Sequence, residues 1–162
     1  MLSNFFQMNY VLVRPKNALF TLRHEKSGER VYYLTAAYGY YGTKKAKKRY
    51  LANASRKGYL KVVKYLIGRG ANVHARNDCA LRSASGCGHL EVTQYLVGVG
   101  ADIHAGNDLA LKWASGKGQL EAVKYLIGVE ADAHVEDDCA LRWASREGHL
   151  EVTQYLVGVG AD

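Results

Sequence analysis

The stretch Asp78-Cys79-Ala80-Leu81-Arg82-Ser83-Ala84-Ser85-Gly86-Cys87-Gly88-His89-Leu90-Glu91-Val92-Thr93-Gln94-Tyr95-Leu96-Val97-Gly98-Val99-Gly100-Ala101-Asp102 decides the fold, because the chain repeats it. Residues 138–162 match it at 22 of 25 positions, so the two segments read as duplicates. Looser copies keep the same step of 30 residues. Gly58, Gly88, Gly118 and Gly148 are each followed two residues later by Leu60, Leu90, Leu120 and Leu150. Ala54, Ala84, Ala114 and Ala144 keep that step, as do Tyr65, Tyr95, Tyr125 and Tyr155. Self-similarity at this period means a solenoid or an array. Four units follow, 48–77, 78–107, 108–137 and a shortened 138–162, behind a leader, 1–47, that does not repeat.

Each unit reads as two short helices. In the second, Asp78 is the expected N-cap and Leu81, Ala84 and Ser85 recur at helical spacing. Gly88 supplies the left-handed turn that ends the first helix. The second helix starts at Leu90 with Glu91 in its first turn, where the helix dipole favours an acid, and ends at Gly98 and Gly100. Residues 101–105 are expected to form an extended link. Neither helix is long enough to be stable alone, so stacking between units must supply the core. The expected class is all-α.

At this point the sequence resembles a known family. Asp138-Cys139-Ala140-Leu141-Arg142-Trp143-Ala144-Ser145-Arg146-Glu147-Gly148-His149-Leu150-Glu151-Val152 is similar to the first helix and turn of an ankyrin repeat. Tyr95-Leu96-Val97-Gly98-Val99-Gly100-Ala101-Asp102-Ile103-His104-Ala105 is similar to its second helix and exit. The resemblance covers 48–162 and implies an ankyrin solenoid that binds another protein through a groove. Against the usual repeat, three residues are missing between Ala105 and Leu109, where the hairpin finger would lie. The family's Thr-Pro-Leu-His opening is Cys-Ala-Leu-Arg at 79–82 and 139–142, which removes its Thr–His bonding. Units of this length and phrasing resemble the expanded ankyrin families of giant amoeba-infecting viruses. That resemblance implies an intracellular protein in the host cytoplasm or nucleus and a host protein as partner.

Composition agrees with an ordinary globular chain: 162 residues, 48% apolar and 23% charged. No stretch approaches the roughly 18 apolar residues of a membrane span, so no membrane partner is expected. The first ten residues lack the basic start and cleavage site of a secretory signal. Three cysteines, Cys79, Cys87 and Cys139, are not expected to form a disulfide framework. The net charge of +7 is unevenly placed. Up to Lys57 there are 12 Lys and Arg against 2 acids, and from Gly58 onward 10 against 13. Within the leader, 18–23 and 30–35 flank a turn-like segment and read as a β-hairpin. Tyr38-Gly39-Tyr40-Tyr41-Gly42 reads as a linker or as docking against the first unit.

Candidate chemistry is mostly absorbed by the repeat. His74, His104 and His134 form a ladder at the repeat step, but zinc ligands must converge at about 2.0–2.1 Å from one ion. Packed helices lie roughly 8–10 Å apart, so these histidines are expected to hydrogen-bond within the links. His89 and His149 are likewise assigned to the scaffold. Cys79 and Cys87 bracket a helix and are too far apart to bridge, and Cys139 is Cys79 two units on. Gly98-Val99-Gly100 follows a helix, not the strand a phosphate loop requires. The expectation is a non-enzymatic protein with no catalytic residue, no metal and no cofactor.

Departures from the repeated background mark the binding candidates. Ser83 is replaced by Trp113 and Trp143; Gly86-Cys87 by Gly116-Lys117 and Arg146-Glu147; and Arg76 by Gly106 and Glu136. In the resembled family these positions lie on or near the concave groove. Trp and Arg are enriched at binding hot spots. Trp113, Trp143, Arg146, Glu147, Lys117, Arg76 and Glu136 are therefore the candidate partner contacts, with core packing between units as the competing role for the tryptophans. Lys44, Lys45, Lys47, Lys48 and Arg49 form the sharpest local charge signal, read either as a nuclear-import or nucleic-acid contact or as a solvated face capping the solenoid. A nucleic-acid partner is the less favoured reading. A shortened duplication product without a dedicated partner is the remaining alternative. The apolar Leu150, Val152, Tyr155, Leu156 and Val157 resemble an internal unit, so fraying or self-association at this uncapped end is also expected.

Overall fold

The computed structural model describes residues 10–13, 21–24, 30–31 and 44–161, with side chains from residue 50 onward. The chain divides into two compact units, Met1–Ala46 and Lys47–Asp162. Among the described residues the first carries three short strands, β1 (Tyr10–Val13), β2 (Thr21–His24) and β3 (Arg30–Val31). β2 pairs antiparallel with both neighbours, Leu22 standing opposite Leu12 and Val31. The rest of the expected hairpin and the segment 38–42 lie outside the described residues.

Repetition in sequence becomes repetition in space. Among the described residues eight helices follow: α1 (Lys44–Arg56), α2 (Leu60–Gly68), α3 (Ala75–Gly86), α4 (Leu90–Gly98), α5 (Ala105–Gly116), α6 (Leu120–Gly128), α7 (Val135–Arg146) and α8 (Leu150–Gly158). They alternate as first and second helices of four units, and the solenoid is all-α. α3 packs along α5 and α5 along α7 more extensively than the second helices pack on one another. Small residues make this close approach feasible: Ala54, Ala84, Ala114 and Ala144 are fully buried, as are Leu81 and Leu111 beside them. From the second helices Val63, Val92, Val123 and Val152 enter the same continuous core, with Leu96, Leu126 and Leu156. In α8 Val152 and Leu156 are buried like their counterparts, whereas Leu150 and Val157 are exposed.

Gly58, Gly88, Gly118 and Gly148 all have positive φ and turn the chain out of the first helices. His89 N–H reaches the carbonyl of Ala84 at 3.0 Å and Gly88 N–H that of Ser85 at 3.1 Å, which satisfies the last carbonyls of α3. A second requirement for glycine is steric. A Cβ at Gly118 would stand 2.6 Å from Nδ1 of His149 in the next unit.

Local expectations are corrected. Residues 101–105 are not an extended link, since 103–104 form a turn, Ala105 N–H reaches the Asp102 carbonyl at 3.3 Å and α5 opens at Ala105. At the start of α3, Arg76, Asn77 and Asp78 are all left-handed, with φ of 60, 53 and 48°, and so are 106–108 and 136–138 at the starts of α5 and α7. Three consecutive left-handed residues cost about 1–2 kcal/mol each for ordinary side chains, less for Asn and Asp, which fill most of these positions. Asp78 consequently does not cap its own helix. Its Oδ1 instead accepts the N–H of Asp102 in the next link at 3.1 Å. Gly98 is the last helical residue of α4, and Gly100 alone makes the left-handed exit.

Candidate functional site

The links connect the units through a continuous polar ladder. Asp102 Oδ1 accepts the N–H of His104 at 2.9 Å, and His104 Nδ1 donates to Asp108 at 3.1 Å. Asp108 in turn accepts the N–H of Asp132 at 3.2 Å. Asp132 accepts from His134 N–H at 2.8 Å, and His134 Nδ1 donates to Asp138 at 3.0 Å. The first link begins the same way, with His74 Nδ1 at 3.3 Å from Asp78. The histidines therefore bond within the links. Burial raises the Asp78 carboxyl above the usual aspartate range, against the lowering effects of the Asp102 N–H and His74.

A second set of links crosses at the helix turns. His89 Nε2 donates to the carbonyl of Arg56 at 3.0 Å and His149 Nε2 to that of Gly116 at 3.3 Å. Both are carbonyls at the C-terminal end of the preceding unit's first helix. These histidines join neighbouring units.

Five of the seven candidate contacts converge on one pocket of about 170 Å³, lined by Trp113, Gly116, Lys117, Trp143, Arg146 and Glu147. α5 and α7 bring them together, since positions three and four apart share a helix face. Trp113 is 42% exposed and Trp143 is half-buried, so neither is fully enclosed between units. Each leans on a glycine of the preceding unit. A Cβ at Gly86 would meet Trp113 Cβ at 3.3 Å, and one at Gly116 would meet Trp143 Cε3 at 3.1 Å. Arg82, on α3, places its guanidinium 5.7 Å from the centre of the Trp113 ring. Arg146 pairs with Glu147 at 3.0 Å, both exposed.

Arg76 and Glu136 lie outside this pocket. Arg76 is an exposed left-handed residue at the start of α3. Both carboxylate oxygens of Glu136 are engaged within the chain: Oε2 takes Lys112 Nζ at 2.7 Å and Oε1 takes Asn107 Nδ2 at 2.8 Å. These bonds hold the Glu136 carboxyl below the usual glutamate range. Lys112 itself, at 4% side-chain exposure, is buried. Gly106, the third member of the series, has a packing reason, since its Cβ would stand 2.6 Å from Leu109 Cδ1, where the other units carry Cys79 and Cys139. Sequence reasoning missed Lys112, whose signal was a lysine where the neighbouring units have Arg82 and Arg142.

Lys44 to Arg49 open α1, and their side chains lie outside the described residues. No helix among the described residues is long and apolar enough to cross a membrane.

No curated protein matches the sequence. A family model for ankyrin repeats in three copies matches residues 81–162, half of the chain, and a second, for ankyrin repeats in many copies, matches 51–97. Ankyrin repeats are in general protein–protein interaction modules, typically non-enzymatic. With the paired short helices, the glycine turns and the stacked alanine–leucine core, these matches place the chain in the ankyrin-repeat family.

Proposed function

We propose that the chain is a recognition scaffold whose partner protein docks at the pocket between α5 and α7. One observation carries the reading: two tryptophans, the chain's whole complement, stand partly exposed around a single pocket among charged side chains. Exposed indole surface gains roughly 25 cal/mol per Å² when covered, and Trp is a leading hot-spot residue. The similarity of the units to ankyrin families of amoeba-infecting viruses supports a host protein as that partner, met in the host cytoplasm. The test is affinity capture with the wild-type chain and with a Trp113→Ser/Trp143→Ser variant in parallel. A partner held by the first and weakened by about 2 kcal/mol or more in the second, with an unchanged thermal midpoint, supports the reading. Unfolding of the variant with unaltered binding per folded molecule sinks it.

A second reading rests on the start of α1. Lys44, Lys45, Lys47 and Lys48 occupy four of its first five positions, with no acid in the first turn. Cations at that end oppose the helix dipole by about 0.3–1 kcal/mol each at low salt. Helix stability therefore does not account for them, whereas a nucleic acid or an import receptor would. DNA or RNA binding through this run has to weaken with salt, with a log–log slope near −0.9 per phosphate neutralised. Absence of any binding at low salt removes the nucleic-acid form, and a localisation experiment decides the import form.

A further inference from the structure

The pocket's surroundings specify the chemistry of its occupant, given the recognition reading above. We infer that the occupant is an acidic segment of protein chain that places one apolar side chain between Trp113 and Trp143 and carboxylates on Lys117 and Arg146. The cavity is the first reason. A site of about 150 Å³ admits benzene, so about 170 Å³ takes one aromatic or branched aliphatic side chain. Gly116, without a Cβ, forms part of its wall.

Charge is the second reason. The lining carries Lys117 and Arg146 against Glu147 alone. Lys117 is exposed, and its ammonium makes no ion pair among the described residues. The Arg146–Glu147 pair has side chains 74% and 44% exposed, a setting in which ion pairs contribute little, so a ligand carboxylate exchanges into it at small cost. A cationic ligand fits worse. The Arg82 guanidinium already stands over the Trp113 ring, and a further cation would meet Lys117 and Arg146. Residues 58–162 as a whole carry 10 basic against 13 acidic side chains, so the positive charge at the pocket is local and suits a short acidic segment better than a long polyanion such as nucleic acid.

Selection of a random dodecapeptide library on the full chain, with the Trp113→Ser/Trp143→Ser variant as subtraction control, tests this directly. The expected winners combine Asp or Glu with one aromatic or aliphatic residue and alter the chain's tryptophan fluorescence, which reports only on this pocket. Replacing their acids by Asn and Gln, or Lys117 by Ala, should weaken binding by about two- to fivefold each and flatten its salt dependence. Lys117→Ala is a surface change, so this arm stands even where the tryptophan variant folds poorly. Neutral or basic winners that still require the tryptophans overturn the acidic assignment and leave the recognition reading intact. Winners indifferent to the tryptophans, or no enrichment at all, overturn both. Fluorescence quenching by an oligonucleotide but not by the selected peptides overturns the peptide assignment.

Discussion

Trp143 rests on the α-carbon of Gly116 in the preceding unit, where a Cβ would come within 3.1 Å of its ring. Trp113 stands in the same way on Gly86, and at the remaining junction the glycine position is Arg56 and the tryptophan position Ser83. Bulk on one unit is matched by its absence on the neighbour.

This pairing predicts a coupling. Gly116 is helical with no positive φ, so alanine there should gain up to about 1 kcal/mol of helix propensity. The contact with Trp143 should cancel that gain. Gly116→Ala alone is therefore expected to leave the thermal midpoint unchanged or lower, and to stabilise the chain once Trp143 is Ser. A cycle of the four proteins should show an interaction of about 1 kcal/mol. Gly98, with nothing within 4 Å of its would-be Cβ, is the control at which alanine should stabilise without a partner change. Equal effects at both glycines would sink the idea.

Glu130 occupies a left-handed position, φ 75°, that the equivalent residues of the other units fill with Gly70, Gly100 and Gly160. A side chain there costs of order 1 kcal/mol, and its N–H still closes the turn onto the Ile127 carbonyl at 3.0 Å. Glu130→Gly should therefore stabilise the chain by about that amount, read from denaturant midpoints, and Gly100→Glu should reverse it. A destabilising Glu130→Gly would mean that the carboxylate contributes more than the strain removes.

The sequence made the helix pairs, their glycine turns and the inter-unit core legible, because each rests on a period of 30 that survives in the residues themselves. It also put Trp113, Trp143, Lys117, Arg146 and Glu147 on one surface, since like positions in successive units become neighbours when units stack. The links were not legible. Asn77 and Asp78 tolerate left-handed backbone, but three such residues in a row were not legible from Arg76-Asn77-Asp78, nor was the bond from the Asp102 N–H to Asp78 in which the segment takes part. Variation alone did not disclose that the Glu136 carboxylate also serves Lys112 and Asn107 within the stack.

Glu136 and Asp78 should give opposite pH dependences. The bonds from Lys112 and Asn107 lower Glu136 below its ordinary 4.5, so its contribution is full above that value and is lost as pH falls through the lowered one. Asp78 is raised above its ordinary 3.8 by burial. Its contribution is full below 3.8 and declines as pH rises through the raised value. Glu136→Gln should then flatten the loss of stability in acid. Asp78→Asn, which keeps an oxygen for the Asp102 N–H, should remove the component that declines with rising pH. Chemical denaturation across the acid range measures both. Parallel profiles for wild type and Glu136→Gln would mean that the Lys112 contact is not maintained in solution.

Two serines at equivalent positions should respond differently to the same substitution. Ser85 Oγ donates to the Leu81 carbonyl at 2.9 Å and lies 3.4 Å from Thr93 Oγ1. Ser115 Oγ is equally buried but has no hydrogen-bond partner among the described residues, and the residue at the position of Thr93 in its unit is Val123. An unpaired buried hydroxyl costs roughly 1–3 kcal/mol, whereas a satisfied one contributes about 0.5–1.5. Ser115→Ala is thus expected to be neutral or stabilising by up to about 1 kcal/mol, because it removes only a desolvated group. Ser85→Ala should cost about 1 kcal/mol and leave Thr93 without its side-chain neighbour. Introducing Val123→Thr beside Ser115 should rebuild the missing pair and make Ser115→Ala costly in that background. Equal penalties at the two serines in the parent chain would show that Ser115 is satisfied in solution, and the expected asymmetry would be lost.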